Sequence, residues 1–243
     1  MTATDTLTKL PQCWQDVQDA MDSGIDRIIL FGPPGTGKTF AGLHIGNVEA
    51  GAHRLVCTED MTTADVTGCF IQDEKGGYNW QFGSAMKAWR GNGVTGGRLV
   101  VDEIDKAGGD VAAQLLAMLD SPESASWEHP STGERFTPLG GFSAVMTTNI
   151  EDMRELPTAL ADRFPVSIRI NQPHPNALKR LSPDLRELAI RSADAGERRI
   201  SLRAFYDFDK IRTNLGIDRA AQMVFKERAQ SILDAIAIES VGK

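Results

Sequence analysis

The sequence predicts an α/β fold built on a parallel sheet, followed by a small all-helical domain. Two observations carry the prediction. In the first 170 residues, five short apolar runs ("RIILFG", "AHRLVCT", "GRLVVDE", "FSAVMTTN" and "PVSIRI") alternate with the helix-like "GKTFAGLHIGNVEA", "SAMKAWRGN" and "GDVAAQLLAMLD". Parallel strands are covered on both faces and therefore read as near-continuous apolar runs. Their alternation with helices implies βαβ units with right-handed crossovers. After "NQPHPN" the pattern changes to "SPDLRELAIRSADA", "SLRAFYDFDKIRTNL" and "DRAAQMVFKERAQSILDAIAI", which read as helices. Ser182 or Ser201 would cap them, and Gly196 and Gly216 would break them. The expected division is an α/β domain over 1–171 and a helical domain over 172–243.

Two stretches exceed this alternation. "CFIQDEKGGYNWQFG" (69–83) has the form of a hairpin turning at Lys75-Gly76-Gly77. "SPESASWEHPSTGERFTPLGG" (121–141) is a turn-rich insertion that accommodates a second hairpin around Ser131–Gly133. Insertions of this length in compact domains are more often functional than ornamental.

Charge narrows the function classes. The net charge of −7 divides unevenly. Residues 1–170 hold 13 Lys/Arg against 23 Asp/Glu, and the remainder holds 13 against 10. An acidic body argues against broad, sequence-independent nucleic-acid binding. The apolar runs are strand-length, so no membrane span is expected. "MTATDTLTKL" lacks the apolar core of a secretory signal, and Cys13, Cys57 and Cys69 lack metal-ligand spacing. A cytoplasmic setting with inert thiols is the expectation.

The chemistry-bearing motif is "GPPGTGKT", residues 32–39: Gly32, Pro33, Pro34, Gly35, Thr36, Gly37, Lys38 and Thr39. It follows a strand and opens a helix, the context of a phosphate-binding P-loop. Glycines let backbone N–H groups converge on phosphates, Lys38 reaches the outer phosphates, and Thr39 supplies a Mg²⁺ ligand. "LVVDEID" (99–105) ends a second strand in two carboxylates. Side chains alternate along a strand, so Asp102 and Glu103 diverge. Asp102 suits the metal, and Glu103 suits activation of the attacking water. "MTTN" (146–149) ends a third strand in Asn149, where a neutral amide can orient that water.

Taken in order, "GPPGTGKT", "LVVDEID", "TTN", "LADRFP" and "ISLRAF" resemble the Walker A, Walker B, sensor 1, arginine finger and sensor 2 of an AAA+ P-loop ATPase. The resemblance covers roughly residues 25 to 240. "TEDMTTADVTG", a hairpin and "GSAMKAW" further resemble the MoxR group, of the CbbQ/NorQ type. Members of that group carry a helix 2 insert before Walker B and a pre-sensor 1 hairpin before sensor 1. The resemblance implies ATP and Mg²⁺, a helical lid, and a homo-oligomeric ring, usually a hexamer. Arg163 would act in trans on a neighbour's γ-phosphate, with Arg154 and Arg169 as rivals. Arg203 would contact the phosphates from the lid. Adenine would lie against residues around Ile25 to Ile28 and part of the lid, and no N-K-x-D element supports guanine. The family's usual work is remodelling a protein partner, often one with a von Willebrand factor A domain. Nucleic-acid loading or translocation and a metal-chelatase-type motor are the alternatives.

Overall fold

The computed structural model describes residues 10–193 and 195–241, so the leader-free reading of residues 1–9 lies outside the described residues. Two compact units emerge: Asp16–Gly32 with Lys38–Arg169, and Pro33–Gly37 with the chain from Ile170 onward and the described part of Met1–Gln15.

The first unit is the predicted sheet. Strands β1 (Arg27–Phe31), β2 (Ala52–Val56), β5 (Arg98–Asp102), β8 (Ser143–Thr147) and β9 (Val166–Arg169) pair in the order β2-β5-β8-β1-β9. Every pairing is parallel. All five residues of β5 are buried, as a central strand with both faces covered requires. Below the sheet, Met86, Trp89, Leu99, Val101, Leu115 and Met146 share one core. They come from β5, β8 and the helices α4 (Ser84–Arg90) and α5 (Gly109–Met118). Between β2 and β5 lie a short helix α3 (Thr63–Thr67) and the hairpin β3 (Gly68–Gln72)–β4 (Tyr78–Phe82). A second hairpin, β6 (Trp127–Glu128)–β7 (Arg135–Phe136), lies between α5 and β8.

After the first helix, α1 (Gln12–Asp22), helix α2 (Lys38–His44) must approach the sheet closely to set the P-loop at the strand ends. A Cβ on Gly42 would lie 2.9 Å from Val100 Cγ1 and 3.3 Å from Val145 Cγ1, so only glycine fits there. The buried Arg98 completes the anchor, donating to the carbonyls of Gly42 at 3.2 Å, Asn47 at 3.2 Å, and Ile45. A cation on the last carbonyls of a helix also suits the helix dipole. Burial alone lowers the Arg98 pKa, yet an arginine remains charged. A second buried arginine, Arg27 at the start of β1, donates to Leu119 O at 3.0 Å and Asp120 O at 2.7 Å. Short helix α6 (Thr158–Arg163) precedes β9.

The second unit is helical beyond Ile170. It contains α7 (Pro175–Leu178), α8 (Pro183–Ala193), α9 (Leu202–Leu215), α10 (Ile217–Phe225) and α11 (Ala229–Val241). Ser201 caps α9, accepting from Ala204 N at 3.2 Å, and Gly216 at φ 81° turns the chain into α10. Phe205, Phe208, Phe225, Leu185, Ile232 and Ile236 fill its core. Arg212 joins α9 to α8 through a bidentate pair with Asp184 at 2.6 and 2.9 Å. One helix differs from expectation: the segment from 217 to 241 breaks at Lys226, which takes φ 50°. The apolar spacing runs through that point in phase and no Gly or Pro marks it. The break seats Phe225 on Phe208 and Phe205, at ring distances of 5.0 and 6.0 Å. Among the described residues, no helix is long and apolar enough to cross a membrane.

Candidate active site

In an open α/β sheet the ligand edge is the carboxyl end of the strands. Here β1 runs into the glycine loop, β5 ends in Asp102, and β8 runs into Thr147-Thr148-Asn149. The apolar residues of each strand lock it in the core, and the first polar residues beyond carry the site.

Asp102 is the hub, with its side chain 6% exposed. Its Oδ1 accepts from Thr39 Oγ1 at 2.8 Å and from Thr147 Oγ1. Its Oδ2 accepts from both Nε, at 3.0 Å, and NH2 of Arg54. Burial pushes the carboxyl pKa up, but the hydrogen bonds from Thr147, Arg54 and Thr39 outweigh it and the net shift is downward. The bound donors therefore favour the ionised carboxylate of Asp102. Lys38, equally buried, donates to Gly32 O at 2.8 Å and Asn149 Oδ1 at 3.1 Å. Thus Lys38, Thr39, Asp102 and Asn149 meet at one edge of the sheet.

Glu103 departs from regular geometry. It takes φ 57° and ψ 46°, the left-handed region that a non-glycine residue rarely occupies. The kink turns its carboxylate away from Asp102 and toward Lys106, whose Nζ donates to Oε2 at 2.7 Å. Asp105 accepts from Thr148 Oγ1 at 2.7 Å. Buried Cys57 sits behind this cluster. Desolvation, then the charges of Asp102, Asp105 and Glu103, push its thiol up to about 12.

Three of the arginines expected from the family pattern, Arg163, Arg154 and Arg169, are held by neighbours in their own unit. Arg163 donates to Ala159 O at 3.0 Å and Asp120 Oδ2 at 3.3 Å, and its Nε is buried without a partner. Arg154 pairs with Asp152, and Arg169 with Glu151 at 2.8 Å. Arg203 is exposed on the first turn of α9.

In the second unit, Gly35 and Gly37 take φ 78° and 108°, and Gly37 packs on the buried Trp14. A Cβ on Gly35 would lie 3.1 Å from Ser201 Cβ. Thr36 Oγ1 donates to Pro33 O at 3.0 Å, closing the loop on itself. A recess beside the loop is lined by Pro34, Gly35, Thr36, Pro173, Ala189 and Ile200, among others.

These residues fit a nucleotide with its metal. Thr39 and Asp102 present hard oxygen donors 2.8 Å apart, the donor type Mg²⁺ takes. The positive-φ glycines leave the loop backbone bare for close approach by an anion.

Two members of the site were missed by sequence reasoning. Thr147 follows the last paired residues of β5 and β8, Val101 and Met146, so strand register alone would have found it. Arg54 had no local signal, since its role arises from an edge strand two residues out of step with Asp102.

Comparison with known proteins agrees. No curated protein sequence matches the chain. Among solved structures, NtrX from Brucella abortus superposes with a TM-score of 0.55 at 14% identity, over 87% of this chain and 50% of its own. A candidate ATPase from Cytophaga hutchinsonii gives a TM-score of 0.48 at 19% identity, over 81% and 56%. The chain thus spans about half the length of these structures. The first of them shares the fold. The AAA domain of the dynein-related subfamily matches residues 27–164, more than half of the chain, and so the protein belongs to that family of AAA ATPases.

Proposed function

We propose that this ATPase is a MoxR-like motor that hydrolyses Mg²⁺-ATP in a homo-oligomeric ring, a hexamer, to remodel a partner protein. One observation carries the choice of work. The hairpins at 68–82 and 127–136 stand where the MoxR pattern has its helix 2 insert and pre-sensor 1 hairpin, and they pack on one another. Trp80 lies 5.7 Å from Trp127 and 4.9 Å from His129, and Phe82 lies 5.7 Å from Phe136. Two insertions fused by aromatic contact form one body able to bear load against a protein.

The chain's residues divide the hydrolysis between them. Loop N–H groups and Lys38 would hold the phosphates. Thr39 and Asp102 would hold Mg²⁺, which would neutralise charge on the phosphate oxygens. Glu103, once it releases Lys106, takes a proton from the attacking water, and Asn149 orients that water. Arg163 of a neighbouring subunit and Arg203 of the lid stabilise the charge that develops.

The experiment is affinity capture on the Glu103→Gln chain held with ATP. A protein partner, such as one with a von Willebrand factor A domain, should be retained with ATP and lost with ADP. ATPase stimulation by DNA with a steep salt slope, and no retained protein, would sink the remodelling assignment in favour of nucleic-acid work.

A further inference from the structure

Asp102 has no free acceptor direction. A carboxylate offers about four lone-pair sites. Thr39 and Thr147 fill Oδ1, and the two nitrogens of Arg54 fill Oδ2. Any cation that reaches Asp102, directly or through water, must displace one of these donors.

The donors are unequally held. Thr147 is buried at the end of a central strand and cannot leave without disturbing the core. Thr39 belongs to the P-loop helix and is itself a candidate ligand. Arg54 stands on β2, the edge strand, with its side chain 48% exposed. Its backbone is pinned, since Ser84 Oγ donates to Arg54 O at 2.9 Å, while the guanidinium stem can swing into water. The planar fork matches the carboxylate edge bidentately, so the pair is oriented as well as charged.

We propose that Arg54 is a positioning residue that acts through Asp102: a resident counter-cation that holds the carboxylate aligned in the metal-free chain and gives way to the divalent ion. It rests on the assignment of Asp102 to the metal. The chain then binds Mg²⁺-nucleotide less avidly than its bare ligand set allows, and the metal concentration at which it loads is set by Arg54. Removing Arg54 should ease metal entry while weakening the empty chain.

The test reads nucleotide binding rather than turnover. A fluorescent ADP analogue is titrated into wild type, Arg54→Gln and Arg54→Lys at a series of Mg²⁺ concentrations, with melting followed in parallel. For Arg54→Gln the half-saturating Mg²⁺ should fall about two- to fivefold, the scale of a half-exposed ion pair. Arg54→Lys keeps the charge and loses the fork, so its shift should be smaller. Without metal Arg54→Gln should melt below wild type, and saturating Mg²⁺-nucleotide should close the gap. A lower melting temperature with unchanged half-saturating Mg²⁺ would make Arg54 merely structural and overturn the proposal. A rise in half-saturating Mg²⁺ would overturn it too, because Arg54 would then support the loaded site. Wild type whose nucleotide affinity ignores Mg²⁺ would instead refute the metal assignment of Asp102 and everything resting on it.

Discussion

At the scale of the residue, Glu103 shows function opposing stability. A left-handed conformation costs an L-residue about 1–2 kcal/mol, which glycine does not incur. Glycine returns about 0.5–1 kcal/mol of that through the entropy of the unfolded chain. The net gain is up to about 1.5 kcal/mol, so Glu103→Gly should melt up to about 6 °C above wild type for a chain of this size. Glu103→Gln keeps the kink and should gain nothing. Both should bind ATP without turning it over. If Glu103→Gly melts lower, the backbone at 103 is not strained. The thiols separate as sharply. Cys57 is fully buried with its thiol pushed to about 12, whereas Cys69 is exposed. At pH 8, alkylation followed by peptide mass should modify Cys69 in the folded chain and leave Cys57 untouched until denaturant is added. Rapid labelling of Cys57 would mean that the acidic edge opens readily. These residues also show how far reading along the chain can go. Lys38, Thr39, Asp102 and Asn149 were legible because motif spacing and strand ends place them. Arg27, Arg54 and Arg98 were not, because what defines each is a set of acceptors from segments distant in sequence.

At the scale of the element, the five strands and two hairpins were legible for one reason: apolar runs between turn residues follow directly from strand burial. The β3–β4 turn is written almost entirely by Asp73, whose Oδ1 accepts from the N–H groups of Lys75 and Gly77 at 2.9 and 2.8 Å. The break at Lys226 was illegible because the packing of Phe225, and no local signal, decides it. Nor did the sequence indicate that the two hairpins would face each other. Their contact is aromatic and extends to Arg90, whose guanidinium stands 4.6 Å over the Phe82 ring and 5.8 Å from Phe136. Trp80 packs on Trp127 and His129 across the interface as well as on Phe70 of its own hairpin. Each aromatic pair contributes about 0.5–1.5 kcal/mol beyond its buried area, and isolated hairpins are marginal in water. Replacing residues 124–136 with a short Gly-Ser linker should thus loosen both hairpins. Amide exchange in 68–82 should speed up at least tenfold and Trp80 emission should shift to the red, while nucleotide affinity stays near wild type. Remodelling of the partner should be lost. Unchanged exchange in 68–82 would show that the β3–β4 hairpin stands alone and that the insertions do not act as one body.

At the scale of the whole molecule, the question is whether one chain completes its own site. Within the chain, Arg163 is turned to Asp120 and Ala159, and its buried Nε lacks a partner. A buried unsatisfied donor costs about 1–3 kcal/mol, so the guanidinium is held at home by an incomplete set of acceptors. A neighbour's phosphate oxygens would supply a better one. In the proposed ring, head-to-tail assembly would provide that geometry, since a heterologous interface joins one subunit's P-loop edge to a different surface of the next and forms a ring where its rotation closes. Each site would then be split, with Lys38 on one chain and Arg163 on the other. Arg163→Ala should assemble and bind ATP but hydrolyse it 10³-fold or more slowly, roughly the worth of a trans arginine. Lys38→Ala should fail at binding. Mixed in equal amounts, the two inactive chains should recover activity, because an interface pairing the intact P-loop of one with the intact arginine of the other is whole. Random assembly makes about a quarter of the interfaces of that kind, so turnover should approach about a quarter of wild type. Recovery should vanish on dilution below the assembly concentration, read by light scattering on the same samples. A mixture that stays as inactive as its components, or a wild-type chain that turns over ATP at full rate as a monomer, would place the missing arginine within the chain and remove the ring from the mechanism.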